Sequence, residues 1–249
     1  MAPSGVESRP VLVLASGSPR RRELLTSIGV PTRILPVDVD ETPRPGEDSE
    51  QLVVRLAGAK AEAGYRRWSV DDRSAPDANS GRRCLVIGAD TVVDLDGTIM
   101  GKPTDDDDVA DTLRRLAGRT HQVYTGVSVV GAVGTATTAS INGHGSEIVD
   151  GKDGPDTDRR ATVVRTDVTF RPLADDEIAW YVSTGEGRDK AGSYGIQGLG
   201  SLLVMCVEGS YPNVVGLPLV AVDRLLGCFA WSLRDFTCTT MTRTPGMSR

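Results

Sequence analysis

The feature that most constrains the fold lies near the start of the chain. The apolar run Val11 to Ser16 breaks at Gly17-Ser18-Pro19 and passes straight into Arg20 to Ile28, where Leu24, Leu25 and Ile28 recur at helical spacing. A short β-rich apolar run reads as a buried strand. Ser18 suits an N-cap, Pro19 the first helical position and Gly29 the stop. A strand that feeds a helix through so short a turn must lay that helix on a sheet, which selects an α/β class from the outset.

The same alternation continues. Thr32 to Val37 reads as a second strand. Ser49 is placed to cap a helix reaching about Trp68, with Leu52, Val53, Leu56, Ala59, Lys60 and Ala63 at helical repeat. Cys84 to Val93 is the clearest buried strand, and Asp94 to Met100 a hairpin turning near Asp96-Gly97. Asp105 to Leu116 reads as a helix opened by acids that suit its N-terminal dipole. Thr120 to Val133 and Ala136 to Val149 are β-rich runs separated by a glycine turn, and Thr162 to Phe170 is another strand. Asp175 to Thr184 is a short helix, Asp189 to Gly200 a polar glycine-rich loop, Leu202 to Val207 a strand, and Asn213 to Phe229 mostly helix. Helices and strands alternate at both ends around a β-rich middle. The expected architecture is a mixed central β-sheet flanked by helices, in two lobes around a cleft.

One domain over 10–230 accounts for this pattern. Polar inserts fall near 69–83 and 145–161, and the ends, 1–9 and 232–249, carry no convincing pattern and read as flexible tails. The 249 residues are ample for a core without staples. A net charge of -6 argues against a general nucleic-acid binder but leaves room for a small anionic substrate held by local cations. No stretch is long and apolar enough for a membrane span. With one Arg at position 9 and no long apolar run after it, a secretory signal is not expected and the cytoplasm is. The four cysteines lack metal-ligand spacing and read as thiols, with Cys206 packed in the core.

Several polar segments can carry chemistry. Ser16-Gly17-Ser18-Pro19-Arg20-Arg21 offers free amides at a helix start beside cationic side chains, which suit an oxygen-rich anion. Arg20 and Arg21 point differently around the helix, so one can reach phosphate while the other pairs with an acid such as Glu23 or Asp40. The plain alternative is a capped surface helix. Asp90, at the end of an apolar strand in Ala89-Asp90-Thr91, is costly unless paired, hydrated or metal-bound. It can hold a divalent ion, orient an attacking water, or merely cap a turn. Thr91 can bond substrate or the neighbouring loop. Lys102, in Gly101-Lys102-Pro103, and Lys60 can each neutralise phosphate or stand solvated. In Asp189 to Gly200, Lys190 is a cation, Gln197 can read a base edge, and Tyr194 can pack on a ring or pin the loop. Asp38, Asp40 and Glu41 can complete a cation site with Asp90. His121 reads as a hydrogen-bonded strand-edge histidine rather than a general base, and Asp105 to Asp108 as dipole partners rather than metal ligands. No nucleophile elbow or Cys-His pair stands out, so hydrolysis of an anionic substrate without a covalent enzyme intermediate fits best.

These segments resemble the Maf family of nucleoside triphosphate pyrophosphatases, in the fold group of inosine triphosphate pyrophosphatase (the Maf/Ham1 fold). LASGSPRRRELL (Leu14 to Leu25), VVRLAGAKAEAG (Val53 to Gly64), GADTVV (Gly88 to Val93), GKP (Gly101 to Pro103), THQVYTGV (Thr120 to Val127), DKAGSYGIQGLG (Asp189 to Gly200) and GSYPNVVGLPL (Gly209 to Leu219) occur in the family's order. The resemblance implies Asp90 as the catalytic carboxylate, with Lys102 and Glu41 beside it, and Asp90 and Glu41 on a magnesium or manganese ion. It implies Arg20, Thr91 and Gln197 as substrate-selecting positions of the dTTP/UTP-cleaving subgroup. Ser16, Arg21, Lys60, Lys102 and Lys190 would line the triphosphate. It further implies a cytoplasmic homodimer that yields a nucleoside monophosphate and pyrophosphate, limiting incorporation of modified nucleotides. Alternatives on the same scaffold are a methylated-GTP or broader-specificity pyrophosphatase, or a nucleotide-binding regulator of cell division. The two inserts and the stretch beyond Leu226 depart from the compact family pattern.

Overall fold

The computed structural model describes residues 9–74, 83–132, 149–151 and 157–237. The chain runs β1 (Val11–Leu14), α1 (Pro19–Ser27), β2 (Arg33–Ile34), α2 (Ser49–Ser74), β3 (Cys84–Leu95), β4 (Thr98–Met100), α3 (Asp106–Leu116) and β5 (Thr120–Ala132). It continues through β6 (Val149–Gly151), β7 (Thr157–Phe170), α4 (Asp175–Ser183), β8 (Val204–Glu208), α5 (Tyr211–Val215), α6 (Leu219–Gly227) and α7 (Leu233–Phe236). The strands form one mixed sheet in the order β2-β1-β3-β5-β7-β6, with β4 on β3 and β8 on β7. β1 is parallel to β2 and β3, whereas β3, β5 and β7 are antiparallel neighbours. The α/β reading and the mixed sheet flanked by helices hold.

The register of β3 makes the cleft. One edge of β3 pairs with β5 from Val86 to Asp94 without a break. Its other edge pairs with β1 at Cys84 to Ile87 and with β4 at Val93 to Leu95. Between these, Gly88 to Val92 has neither strand beside it, so the sheet is notched where Asp90 and Thr91 sit. Two apolar cores lie on either side of the notch. One gathers Leu12, Leu14, Leu25, Ile87, Val129, Leu225 and Phe229; the other gathers Val93, Leu113, Val123, Phe170, Tyr181 and Leu203.

Helix α2 reaches the notch because small residues let it lie directly on the sheet. A Cβ on Gly88 would stand 2.2 Å from the Ala57 carbonyl, and one on Gly126 2.2 Å from that of Val53. Only glycine admits backbone so close. That approach brings Lys60 over β3.

Several local expectations are revised. Helix α2 extends to Ser74, into the first insert, and 75–82 lies outside the described residues. Asp48, not Ser49, caps it: Asp48 Oδ1 accepts from the Gln51 amide at 2.8 Å, while buried Ser49 donates to Asp94. Of the expected strand Thr32 to Val37 only Arg33–Ile34 pairs. Strand β7 begins at Thr157, inside the second polar insert, because Thr157 to Ala161 continues the ladder with β5. The β-rich run after Ala136 falls mostly on 133–148, outside the described residues. Asn213 to Phe229 is two helices, broken where Gly216 takes φ 118° ahead of Pro218. Cys206 is exposed rather than packed in the core, since among the described strands β8 pairs with β7 alone and turns that side chain outward. From Ser232 to Thr237 the expected tail is folded: Ser232 and Asp235 form a capping box on α7, the Asp223 carboxylate accepts from the Leu233 amide at 2.7 Å, and Phe236 is buried; 238–249 lies outside the described residues. Arg9 stacks on the Phe236 ring, so both ends of the described chain join the fold.

Candidate active site

The notch opens into a cleft of about 980 Å³. Ser16, Arg20, Arg21, Glu41, Lys60, Asp90, Thr91, Lys102, Lys190 and Gln197 all line it. These ten candidates therefore meet on one surface, although they come from six separated stretches of chain.

Its anionic centre is a carboxylate pair bridged by a lysine. Lys60 Nζ lies 2.7 Å from Asp90 Oδ1 and 2.5 Å from Glu41 Oε1. Lys60 and Asp90 are 8% and 9% exposed, so their charges depend on each other; Glu41, on the loop after β2, is half open to solvent. Burial works to raise the Glu41 carboxyl, but the Lys60 hydrogen bond and the charges of Lys60, Lys102 and Arg21 outweigh it and hold the group below its usual range.

Arg21 braces the opposite wall. Its Nε donates to the Gly216 carbonyl at 2.8 Å, Nη1 to Ser16 Oγ at 3.1 Å and Nη2 to Thr91 Oγ1 at 3.1 Å. Its partners are thus neutral oxygens, so Arg21 is not the member of the Arg20-Arg21 pair that joins an acid such as Glu23 or Asp40. Burial depresses the Arg21 guanidinium, against the pull of Asp90. The network runs inward: Thr91 Oγ1 meets Thr125 Oγ1 at 3.0 Å, Thr125 donates to the Asn213 carbonyl, and Asn213 Nδ2 donates to the Val123 carbonyl and to Thr166 Oγ1, each at 3.0 Å. Ser18 starts α1 without a side-chain cap, and its own amide donates to Ser16 Oγ. The α1 N-terminus therefore faces the cleft with backbone donors to offer.

Other candidates separate from the site. Asp40 Oδ1 accepts from the Thr42 amide, so Glu41 alone of the acids after β2 joins Asp90. Asp105 caps α3 and Asp106 pairs with Arg188 at 2.7 Å, as dipole partners should. His121 is buried at the start of β5, with Nε2 2.8 Å from the Tyr194 hydroxyl, and is no general base; Tyr194 thereby pins its loop. Sequence reasoning missed Thr125, Asn213 and Glu186. Ser210-Tyr211-Pro212, a cap-and-proline start, flags the turn carrying Asn213; Glu186, a lone acid between glycines, carries no local signal.

Among the described residues no group of three or more His, Cys, Asp and Glu could hold a metal. Two carboxylates do suit an ion that arrives on a polyphosphate, because magnesium keeps most of its shell for phosphate and water. The arrangement as a whole suits a polyphosphate: cations and amides on the walls, and a carboxylate pair at the floor.

A mixed sheet notched around such a cleft has the chemistry that hydrolysis of a nucleotide's phosphate chain requires. The family model for Maf-like proteins matches residues 11–229, and the chain belongs to that family. It is 44% identical over 233 residues to a dTTP/UTP pyrophosphatase of Aromatoleum aromaticum, covering 89% of this chain and 97% of that one. It is 42% identical over 218 residues to proteins of the same description from Shigella sonnei and Escherichia coli O157:H7, covering 88% of this chain and 92% of each.

Proposed function

We propose that this chain hydrolyses dTTP and UTP to the nucleoside monophosphate and pyrophosphate, limiting incorporation of modified nucleotides. The observation that carries the proposal is the convergence of Arg20, Arg21, Lys102 and Lys190 on the cleft that holds Asp90. Near-full-length likeness to dTTP/UTP pyrophosphatases supports the choice of base.

The chain's own groups divide the work. Ser16, the amides at the start of α1, Arg20 and Arg21 receive the triphosphate. A guanidinium has five N–H bonds; Arg21 spends three on the wall, which leaves two for phosphate. Lys102 and Lys190 offset charge on the leaving pyrophosphate. Asp90 Oδ1 is engaged by Lys60, so Oδ2 holds the attacking water and takes its proton as the new P–O bond forms and the α–β anhydride bond breaks. Thr91, Arg20 and Gln197 select the nucleotide, with Gln197 at the base edge. Magnesium or manganese, held by Asp90 and Glu41, would supply further charge neutralisation and activation of water.

Incubation of the purified protein with a nucleotide panel and magnesium tests this. Pyrophosphate release is expected from dTTP and UTP in preference to 7-methylguanosine triphosphate. The reverse preference, or stepwise release of single phosphates, refutes the reading. A cytoplasmic setting and a homodimer belong to the same proposal. Cys84, Cys206 and Cys228 as thiols suit a reducing compartment. Exposed Leu199, Leu202 and Met205 beside the β8 edge offer apolar surface to a second copy, and light scattering reads the mass.

A further inference from the structure

Lys190 and Gln197 ride on a segment with little regular structure: two 3-10 turns, Ala191–Ser193 and Leu199–Leu202, joined through extended Tyr194 and a turn over Ile196 to Gly198. What holds this segment is a residue outside it. Glu186, just beyond α4, accepts from the Leu199 amide at 2.8 Å through Oε2 and from the Gly200 amide at 2.9 Å through Oε1. The hydroxyl of buried Tyr181 donates to Glu186 Oε1 at 2.9 Å and accepts from the Gly195 amide at 3.2 Å. The Glu186 carbonyl accepts from Lys190 Nζ.

The close approach is built into the sequence. A Cβ on Gly198 would stand 2.2 Å from Glu186 Oε2, so the carboxylate needs glycine there. Gln197 therefore sits between two anchored points, Gly195 on one side and Leu199 and Gly200 on the other, while its own side chain is exposed on the cleft. Burial works to raise the Glu186 carboxyl, but the amides of Gly200 and Leu199, the Tyr181 hydroxyl and the charge of Lys190 outweigh it and keep the acceptor ionised near neutrality.

We infer that Glu186 is a positioning residue for base selection, fixing with Tyr181 the backbone on both sides of Gln197 so that the Gln197 amide meets the base at one set angle. The inference rests on the proposed function, in which Gln197 faces the base. A carboxylate is required because it offers acceptors alone. The isosteric amide would turn an NH₂ towards a backbone N–H or the Tyr181 hydroxyl, and at least one anchor would be lost.

The test compares the full-length wild type with Glu186→Gln, Glu186→Asp and Tyr181→Phe. UTP and CTP are the probes, since uracil presents an acceptor where cytosine presents an amine. Inorganic triphosphate, which has no base, is titrated by calorimetry. In Glu186→Gln the UTP-to-CTP ratio of kcat/KM should fall about tenfold, mainly through a higher KM for UTP. Tyr181→Phe should move the ratio in the same direction, and Glu186→Asp should recover part of it. Binding of inorganic triphosphate should stay within about twofold of wild type. An equal loss on UTP and CTP, or an unchanged ratio, overturns the inference. If Glu186→Gln does not fold, the ratio in Tyr181→Phe decides. A wild-type protein that cleaves neither UTP nor dTTP overturns the proposed function as well, whereas an active wild type with an unmoved ratio overturns only the role of Glu186.

Discussion

Acidification to pH 5 should destabilise this protein through one buried side chain. His121 lies on β5 with no exposed surface, edge-on to Phe170 and Tyr194, its Nε2 against the Tyr194 hydroxyl and its Nδ1 without a hydrogen-bond partner. Burial pushes its pKa from 6.5 down to about 4, only partly opposed by the charge of Asp167. The unfolded chain therefore binds a proton that the folded chain refuses, and stability rises with pH across that window. The linkage gives a loss of about 2 kcal/mol between pH 7 and pH 5, approaching about 3 kcal/mol at pH 4. Most carboxylates are still ionised at pH 5, so the upper part of the window isolates the imidazole. Urea titrations of the wild type and His121→Gln at pH 7 and pH 5 measure it. The wild type should lose about 2 kcal/mol more than the variant over that interval. Equal losses in the two proteins would refute the reasoning, because they differ only in that imidazole.

Asp90→Asn should keep the fold and lower kcat for UTP by about 100-fold or more, as read by pyrophosphate release and a thermal melt. Lys60→Met leaves Asp90 and Glu41 facing each other without the lysine that bridges them; about 2 kcal/mol of stability and most of the activity should go, and denaturant titration with steady-state kinetics reads both. Gly88→Ala drives a methyl into the Ala57 carbonyl. It should cost about 3 kcal/mol or more and, by lifting α2, remove Lys60 from the site, so melting temperature and activity should fall together. Arg21→Lys cannot reach Gly216, Ser16 and Thr91 at once; it should raise KM about tenfold with a smaller change in kcat.

The polar residues of the cleft were legible because each stands in a segment whose local grammar is plain. A strand ends, glycine or proline turns the chain, and a charged side chain follows, as at Ser16 to Arg21 and Gly101 to Pro103. Their mutual arrangement was not legible. That Lys60 bridges Asp90 and Glu41 depends on how close α2 can lie to the sheet, which Gly88 and Gly126 decide from another part of the chain. Arg21 seeks neutral oxygens because its neighbours after folding are Gly216 and Thr91, far along the sequence. Glu186 was invisible for the same reason. The misread elements follow a second pattern: Cys206 has an apolar context but sits on an outer strand, and Gly216-Leu217-Pro218 is a stop signal inside an otherwise helical composition.

The notch in the sheet also sets how the protein can move. β3 and β5 pass from one apolar core to the other as unbroken, mutually paired strands. A rigid ladder spanning both halves leaves no pivot about which they could swing. Capture and release of a ligand must then fall to the rim, above all to the stretch bearing Glu41, and turnover would be paced by one short piece of chain while the frame beneath it stays still.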